Sequence, residues 1–275
     1  MTLESLLKNV ESVPPLSDVT YALQYLYADE TIDIVKLVRV IESDVSLSVN
    51  ILKMVNAPIY GFSQQIASIS QSVSLLGTDK VYGLALKHVI SEKIKANTRI
   101  YGLSHVEFND MCHLQSKLVL EWYSSIDLDK AKILAPLTLI METGKLILAN
   151  EVMKCSFAKK YKQTFSESQT IEECEHNLIG TTSYFLTGIL FKKWNLNPLY
   201  VNILKGLDFE EHTKEEVEQY IEIIDIIRLA INVKDILSDD SIDYASTIVE
   251  ELGYSKDDFI RSCLKVKDNY ELSKS

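Results

Sequence analysis

The chain has 275 residues, of which 47% are hydrophobic and 24% charged, and a formal net charge of −11. This composition is typical of a globular protein with one large domain or two smaller ones, and nine glycines and five prolines argue against long linkers. An acidic chain without an evident basic face is a poor binder of duplexes or membrane surfaces, so we expect neither nucleic acid nor a membrane as partner.

Helical periodicity fills the first hundred residues. A short amphipathic helix is predicted over residues 2–10, and the pair Pro14-Pro15 stops it. Ser17 is predicted to cap a second helix, and a third carries apolar residues between positions 34 and 41. No strand-like alternation or hairpin turn interrupts the series, so the sequence predicts a compact all-α lobe.

Residues 44–77 form the stretch around which this lobe is organised. Apolar spacing predicts a helix over residues 47–55, with Ser46 as its N-cap, and Pro58 ends that helix. A second short helix follows the turn and stops at a glycine. We interpret the polar and glycine residues between the two helices first as structural, because they fix a tight corner. We name the following residues the signature corner: Asp44, Leu52, Asn56, Tyr60, Gly61 and Gly77.

The second half begins near Tyr101 and Gly102, a predicted junction between lobes. Periodicity predicts a helix over residues 108–124 and another around residues 133–141. The segment 137–148 then reads L-T-L-I-M-E-T-G-K-L-I-L.

Acidic residues are concentrated in the last quarter of the chain. Residues 207–275 hold 18 acidic against 8 basic side chains, and most of these are interpreted as solvated helix faces. A capping box of Thr213 and Glu216 predicts a long helix that reaches about Leu237, and two shorter helices follow it. The long helix carries an apolar stripe that either packs on the preceding lobe or forms a face for a partner or a second copy. This candidate partner face comprises Tyr220, Ile221 and Ile224.

The stretch 44–77 closely resembles the core signature of the HDOD domain, without a gap. The matching residues are Asp44, Leu47, Leu52, Asn56, Ala57, Tyr60, Gly61, Ile66, Ser68, Val73, Leu76 and Gly77. The resemblance extends over about residues 13–208. It implies an all-α HDOD fold of two packed helical lobes, and a non-catalytic relative of the HD and HD-GYP phosphohydrolases that serves as an output domain in bacterial signalling.

The resemblance also implies a division of the chain. Residues 1–208 are predicted to form the HDOD domain, with an N-terminal helical lobe at about 1–100 and an HD-like helical lobe at about 103–208. Residues 209–275 are predicted to form an acidic C-terminal helical extension packed on that domain.

The HD-like lobe departs from the HD pattern where the metal ligands would lie. The segment 137–148 resembles G-L-L-H-D-I-G-K-L, with Gly144 and Lys145 kept but Met141 and Glu142 in place of His-Asp. Ser183 stands where a further histidine of the pattern falls. HD-type hydrolases need these ligands to activate a metal-bound water, and the chain has no His-Asp dipeptide. We therefore expect no metal, no cofactor and no catalytic residue.

The compartment follows from the termini and the cysteines. No apolar run approaches the roughly 20 residues that span a bilayer, and the first residues lack the features of a signal peptide. The four cysteines are widely spaced without a C-x-x-C pair, as expected of reduced and mostly buried thiols. We therefore expect a cytoplasmic protein.

The leading interpretation is a non-enzymatic bacterial signalling or regulatory module that acts through contacts with a protein partner, with a homo-oligomer left open. Two alternatives stand beside it. The first is a degenerate but active HD-type metal-dependent phosphohydrolase. The second is a sensor that binds a nucleotide or another small molecule in the vestigial HD cleft.

Overall fold

The computed structural model describes residues 1–27, 32–154, 157–208 and 215–274. Within these ranges the regular secondary structure is helical, and the β-type pairing described is a single antiparallel bridge between Ile231 and Ile236. The all-α fold expected from the sequence is therefore confirmed.

The first hundred residues form helices that follow each other closely in the chain. They are α1 (Leu3–Ser12), α2 (Asp18–Tyr27), α3 (Ile34–Glu42), α4 (Val45–Val55), α5 (Ile69–Leu76) and α6 (Thr78–Lys93). Helices α3, α4 and α5 pack on one another, and α2, α4 and α5 pack on α6. The N-cap of α4 is Asp44, whose carboxylate accepts the Leu47 N–H at 3.0 Å. The prediction that Ser46 caps this helix is wrong, because the helix begins one residue before Ser46.

The second set of helices covers residues 105–206. It comprises α7 (His105–Trp122), α8 (Leu128–Ile140), α9 (Thr143–Lys154), α10 (Ala158–Glu167), α11 (Ile171–Ile179), α12 (Ser183–Lys193) and α13 (Pro198–Gly206). Helix α8 packs between α7 and α6, and α12 packs against α9 and α13. Gly83 of α6 lets α8 approach closely, since a Cβ there would lie 3.0 Å from the Pro136 Cα.

Helix α1 belongs spatially with this second set. It packs on α9 and α12, and the Lys193 ammonium donates to the Val10 carbonyl at 3.2 Å and the Val13 carbonyl at 2.7 Å. The Trp194 indole donates to the Pro14 carbonyl at 3.0 Å. The boundary of the N-terminal lobe at about 1–100 thus stays a prediction, and α1 reaches across it.

The last three helices are α14 (Glu215–Ala230), α15 (Asp239–Glu251) and α16 (Lys256–Lys274). Helix α14 packs on α7, α8, α13 and α15, while α16 packs on α7, α15 and the turn at Pro58–Tyr60. Trp122 of α7 meets Phe259 of α16 edge to face, with ring centroids 4.9 Å apart. The C-terminal region is therefore joined to the rest of the protein by a buried aromatic contact.

Helix α14 ends earlier than the sequence predicts, at Ala230 rather than near Leu237. The side chain of Asn232 accepts the N–H groups of Lys234 and Asp235 at 2.9 and 3.1 Å. A local turn that bonds the backbone in this way competes with helix, although the apolar periodicity continues through it. Thr213, the predicted cap, lies outside the described residues.

One apolar stretch, Leu128–Lys154, has the length and hydropathy of a membrane span, and 83% of its apolar window is buried inside the protein. It coincides with α8 and α9, which form the centre of the fold. Buried core helices of a large helical protein can share the length and hydropathy of a membrane span. Three cysteines, Cys112, Cys174 and Cys263, are buried free thiols, whereas Cys155 lies outside the described residues.

Candidate functional site

The signature corner is held by one amide. The Asn56 side chain donates to the carbonyls of Leu52 and Ile66, and it accepts the Ile66 N–H, each at 2.8 Å. These bonds tie the end of α4 to the far end of the loop that leads to α5. Gly61 (φ 68°) and Gly77 (φ 81°) adopt the left-handed backbone that the turns around the loop require.

Tyr60 connects this corner to α7. Its hydroxyl shares a hydrogen bond of 2.9 Å with the His113 Nδ1, and the Lys80 ammonium lies 4.7 Å from the centre of its ring. Burial, with Lys87 and Lys80 nearby, holds the pKa of His113 well below its ordinary value. His113 is therefore a neutral hydrogen-bond partner of Tyr60.

The positions that resemble the HD pattern are Met141, Glu142, Gly144, Lys145 and Ser183, and three of them, Glu142, Lys145 and Ser183, belong to a cluster that we name the polar core. It consists of Gln115, Glu142, Lys145, Glu175, Ser183 and Tyr184, all buried. The Lys145 ammonium lies 2.7 Å from a Glu142 carboxylate oxygen and donates to the Ser183 hydroxyl at 3.1 Å. The other Glu142 oxygen accepts from Gln115 at 2.9 Å and from Tyr184 at 3.1 Å.

The backbone around position 144 requires a glycine. A Cβ at Gly144 would lie 1.9 Å from the Ser183 carbonyl oxygen, so only glycine lets α9 and α12 approach here. The Gly144 N–H donates to the Thr187 hydroxyl at 2.8 Å, and that hydroxyl contacts the Met141 carbonyl at 2.9 Å. Met141 itself is an apolar core residue.

Electrostatics in the polar core favour a charged lysine. Burial disfavours the ammonium of Lys145, but Glu142 and the other acidic groups around it outweigh this and hold its pKa well above the ordinary value. Burial raises the pKa of Glu175 to about 7, although Lys145 and the Ser183 N–H, which donates at 2.6 Å, act in the opposite direction. The polar core therefore contains the Lys145–Glu142 ion pair and a second carboxyl group, Glu175, whose pKa lies near 7.

Three residues of this region, Gln115, Tyr184 and Arg228, escaped the sequence analysis. Gln115 also donates to the Ile231 carbonyl at 2.9 Å, which links the polar core to the segment after α14. Arg228 of α14 lies 5.4 Å from the centre of the Tyr184 ring and pairs with Glu172 at 3.3 Å. Each is a single polar residue on an apolar helix face, so no spacing pattern marks it.

The residues present do not fit the divalent metal of HD-type enzymes. Such a site needs several imidazole or carboxylate ligands, and no group of three or more His, Cys, Asp or Glu side chains is close enough to hold one ion among the described residues. Glu142, the carboxylate at the vestigial position, is already paired with the Lys145 ammonium. A positive side chain thus sits beside the carboxylate that a metal would need.

The candidate partner face does not lie open in this structure. Ile224 is fully buried, whereas Tyr220 and Ile221 are half-buried and packed against the core. The three residues therefore do not form one open apolar face, because α14 turns Ile224 toward its neighbouring helices while Tyr220 and Ile221 stay partly exposed.

Comparison with known proteins adds the family and the fold. The model of the HDOD domain family matches residues 13–206. An HDOD domain protein of unknown function from Geobacter sulfurreducens is 15% identical, with a TM-score of 0.63 over 96% of this chain and 90% of that one. A candidate phosphohydrolase from Shewanella amazonensis is 14% identical, with a TM-score of 0.73 over 98% and 97%. A candidate signal transduction protein from Marinobacter aquaeolei is 16% identical, with a TM-score of 0.73 over 98% and 64%. No curated protein matches the chain.

Proposed function

Because this chain belongs to the HDOD domain family, we propose that it is a non-enzymatic regulatory module of bacterial signalling that acts through contacts with a protein partner. The observation that carries the proposal is the ion pair between Lys145 and Glu142, which neutralises the vestigial HD site from within. A cytoplasmic location goes with it, supported by the three buried free thiols.

The ion pair bears on catalysis through its burial. Lys145 is 1% and Glu142 2% exposed, so a metal at Glu142 would have to displace a buried ammonium and leave it unpaired. An unpaired buried charge costs several kcal/mol, roughly 3–5. This cost opposes metal loading and favours a structural role for the cluster.

One structural neighbour supports a role in signalling, and another supports the alternative of a phosphohydrolase. The Marinobacter protein is described as a candidate signal transduction protein, and the Shewanella protein as a candidate phosphohydrolase. The HD-type hydrolase is therefore the alternative that an experiment has to separate.

Metal analysis and a hydrolysis assay test the proposal directly. The purified chain is incubated with Mn²⁺, Mg²⁺ or Fe²⁺, its bound metal is measured by mass spectrometry, and bis(p-nitrophenyl) phosphate serves as substrate. We expect no metal at one per chain and no hydrolysis above buffer, with an active HD-type hydrolase as positive control. Turnover that disappears together with a bound metal in the Glu142→Ala variant would overturn the proposal.

The protein contact is tested by affinity capture from the native cell, followed by reconstitution. We expect a partner that co-purifies reproducibly and binds the purified chain directly in isothermal titration calorimetry. If no captured protein binds the purified chain, the module acts by another route.

A further inference from the structure

The fold brings together a basic surface that was not evident in the sequence of this acidic protein. Two adjoining cavities, of about 660 and 770 Å³ including space open to solvent, lie between α1, the end of α6, the following loop and α9. They share Lys95 and Asn150 as lining residues and so form one elongated depression. We name it the basic groove, lined by the cations Lys93, Lys95, Arg99 and Lys154 and by the amides Asn9, Asn97 and Asn150.

The four cations of the basic groove lack an ion-pair partner among the described residues, although the whole chain carries a net charge of −11. Carboxylates near these cations in sequence have other partners: Glu92 lies 3.5 Å from the His88 imidazole, Glu107 accepts the Ser104 N–H at 2.8 Å, and Glu151 accepts from Asn9 at 2.6 Å. Unpaired cations that line one depression give it a positive potential, which a bound anion relieves.

His105 lies beside two cations of the groove, Lys95 and Arg99. It lines the outer cavity, and its pKa is lowered by burial and by the nearby Lys87 and Lys95. A neutral imidazole at the rim leaves the lysines and the arginine as the charges that a ligand would meet.

The backbone of the groove is fixed before any ligand binds. The Asn150 amide donates to the Lys95 carbonyl at 2.8 Å, and the Asn97 side chain accepts the Arg99 N–H at 3.1 Å. A surface that is already ordered loses little conformational entropy on binding.

We propose that the basic groove binds an extended acidic segment of a partner protein. The inference rests on the proposed function and names the chemistry of its partner. Lysine and arginine side chains match carboxylates. The asparagine side chains use one amide atom each in the bonds above, so the Oδ1 of Asn9 and Asn150 and the Nδ2 of Asn97 can bond to the main chain of an extended peptide. Val13, Pro14 and Ile147 give the groove an apolar floor for a neighbouring side chain.

The shape of the groove favours a peptide over a small molecule. Sites for small ligands bury most of the ligand in a concave, largely apolar pocket, whereas these cavities are shallow and open to solvent. A second copy of the chain could offer the acidic residues of 207–275. Self-association through this contact is therefore a separate outcome of the test.

Fluorescence anisotropy tests the proposal with a labelled decapeptide of alternating glutamate and alanine. A peptide with glutamine in place of glutamate is the ligand control. We expect binding of the acidic peptide only, weakening as salt is added. The double variant Lys95→Gln/Lys154→Gln should bind about tenfold more weakly, since two exposed ion pairs are lost. The control variant Lys53→Gln/Lys162→Gln, which removes exposed lysines of α4 and α10, should bind like the wild type.

The other outcomes are equally decisive. No binding of the acidic peptide, or binding that the groove variant retains in full, would overturn the proposal, provided that circular dichroism shows both variants folded. Self-association in light scattering that the groove variant abolishes would assign the groove to a second copy and also overturn it. If the peptide fails while a captured partner still binds, only the groove is wrong. If the chain hydrolyses phosphodiesters, the proposed function fails whatever the peptide does.

Discussion

The signature corner and the polar core are both held by side-chain hydrogen bonds, yet they differ in reach. Asn56 bonds to groups four and ten residues away, at a half-buried turn. In the polar core, Gln115 and Glu142 are 27 residues apart, and Gln115 and the Ile231 carbonyl are 116 residues apart. Hydrogen bonds between residues close in sequence can be recognised as a sequence motif, whereas bonds between residues distant in sequence depend on the whole fold. Burial also makes the long-range bonds costlier to lose.

The largest difference between the two regions is expected at Lys145. The Lys145→Met variant leaves Glu142 buried without its cation, so the free energy of unfolding should fall by about 3–5 kcal/mol. Urea unfolding measures this, with Lys130→Met as control, because Lys130 pairs with Asp127 at 2.6 Å on the surface. That control should lose less than about 1 kcal/mol.

The double variant Lys145→Met/Glu142→Gln distinguishes charge from packing. A neutral amide still offers an acceptor to the groups that donate to Glu142. We expect it to recover most of the lost stability. An equal loss in the single and double variants would mean that packing, not the unpaired carboxylate, determines the cost.

The second prediction concerns the close approach at Gly144. In Gly144→Ala the new methyl group would meet the Ser183 carbonyl, which is backbone, so we expect a loss near the upper end of about 1–3 kcal/mol. Gly188→Ala is the matched control, since its Cβ would meet mainly the flexible Lys205 side chain at 3.1 Å. Chemical denaturation of both variants makes the comparison. Equal stability of the two would refute a tight contact between α9 and α12.

Glu175 provides a pH test of the polar core. Its folded pKa is about 7 against an ordinary value of 4.5, so the folded state holds a proton that the unfolded chain releases. Its contribution to stability is therefore fully present below about pH 4.5 and is lost as the pH rises through about 7. Glu175→Gln cannot ionise, so its stability relative to wild type should rise by about 2 kcal/mol between about pH 5 and about pH 8.

Urea unfolding at the two pH values measures this gain. The control is Glu218→Gln, which replaces an exposed carboxylate on α14. A difference between wild type and Glu175→Gln that does not change with pH would show that Glu175 ionises normally.

The smallest effect is expected in the signature corner. Asn56→Ala leaves the Ile66 N–H and carbonyl without their partner, but water can reach this half-buried turn. The loss should therefore lie at the low end of about 1–3 kcal/mol. Asn50→Ala, which removes an exposed bond to the Ser46 carbonyl, should change almost nothing. An unchanged melting temperature in Asn56→Ala together with lost partner binding would make the corner an interface.

The fold class could be predicted from the sequence because helical periodicity and the gapless signature are local properties. It also named Glu142, Lys145 and Ser183, but only as positions in a family pattern and not as an ion pair. The roles of Gln115 and Tyr184 could not be predicted, because no residue near them in sequence indicates that their partner Glu142 lies 27 and 42 residues away. The end of α14 was misjudged for the opposite reason, since continuing periodicity masked a turn.

The bond from Gln115 to the Ile231 carbonyl has a consequence for synthesis of the chain on the ribosome. When the residues matched by the family, 13–206, have been translated, neither this carbonyl nor Arg228 has yet been made. The nascent chain can form its early helices, but a buried amide beside Glu142 still lacks one acceptor. Loop closure over such a separation is slow. The last quarter of the chain therefore supplies the final hydrogen-bond acceptor of the polar core. In a chain released before that part is made, the Gln115 amide lacks this partner.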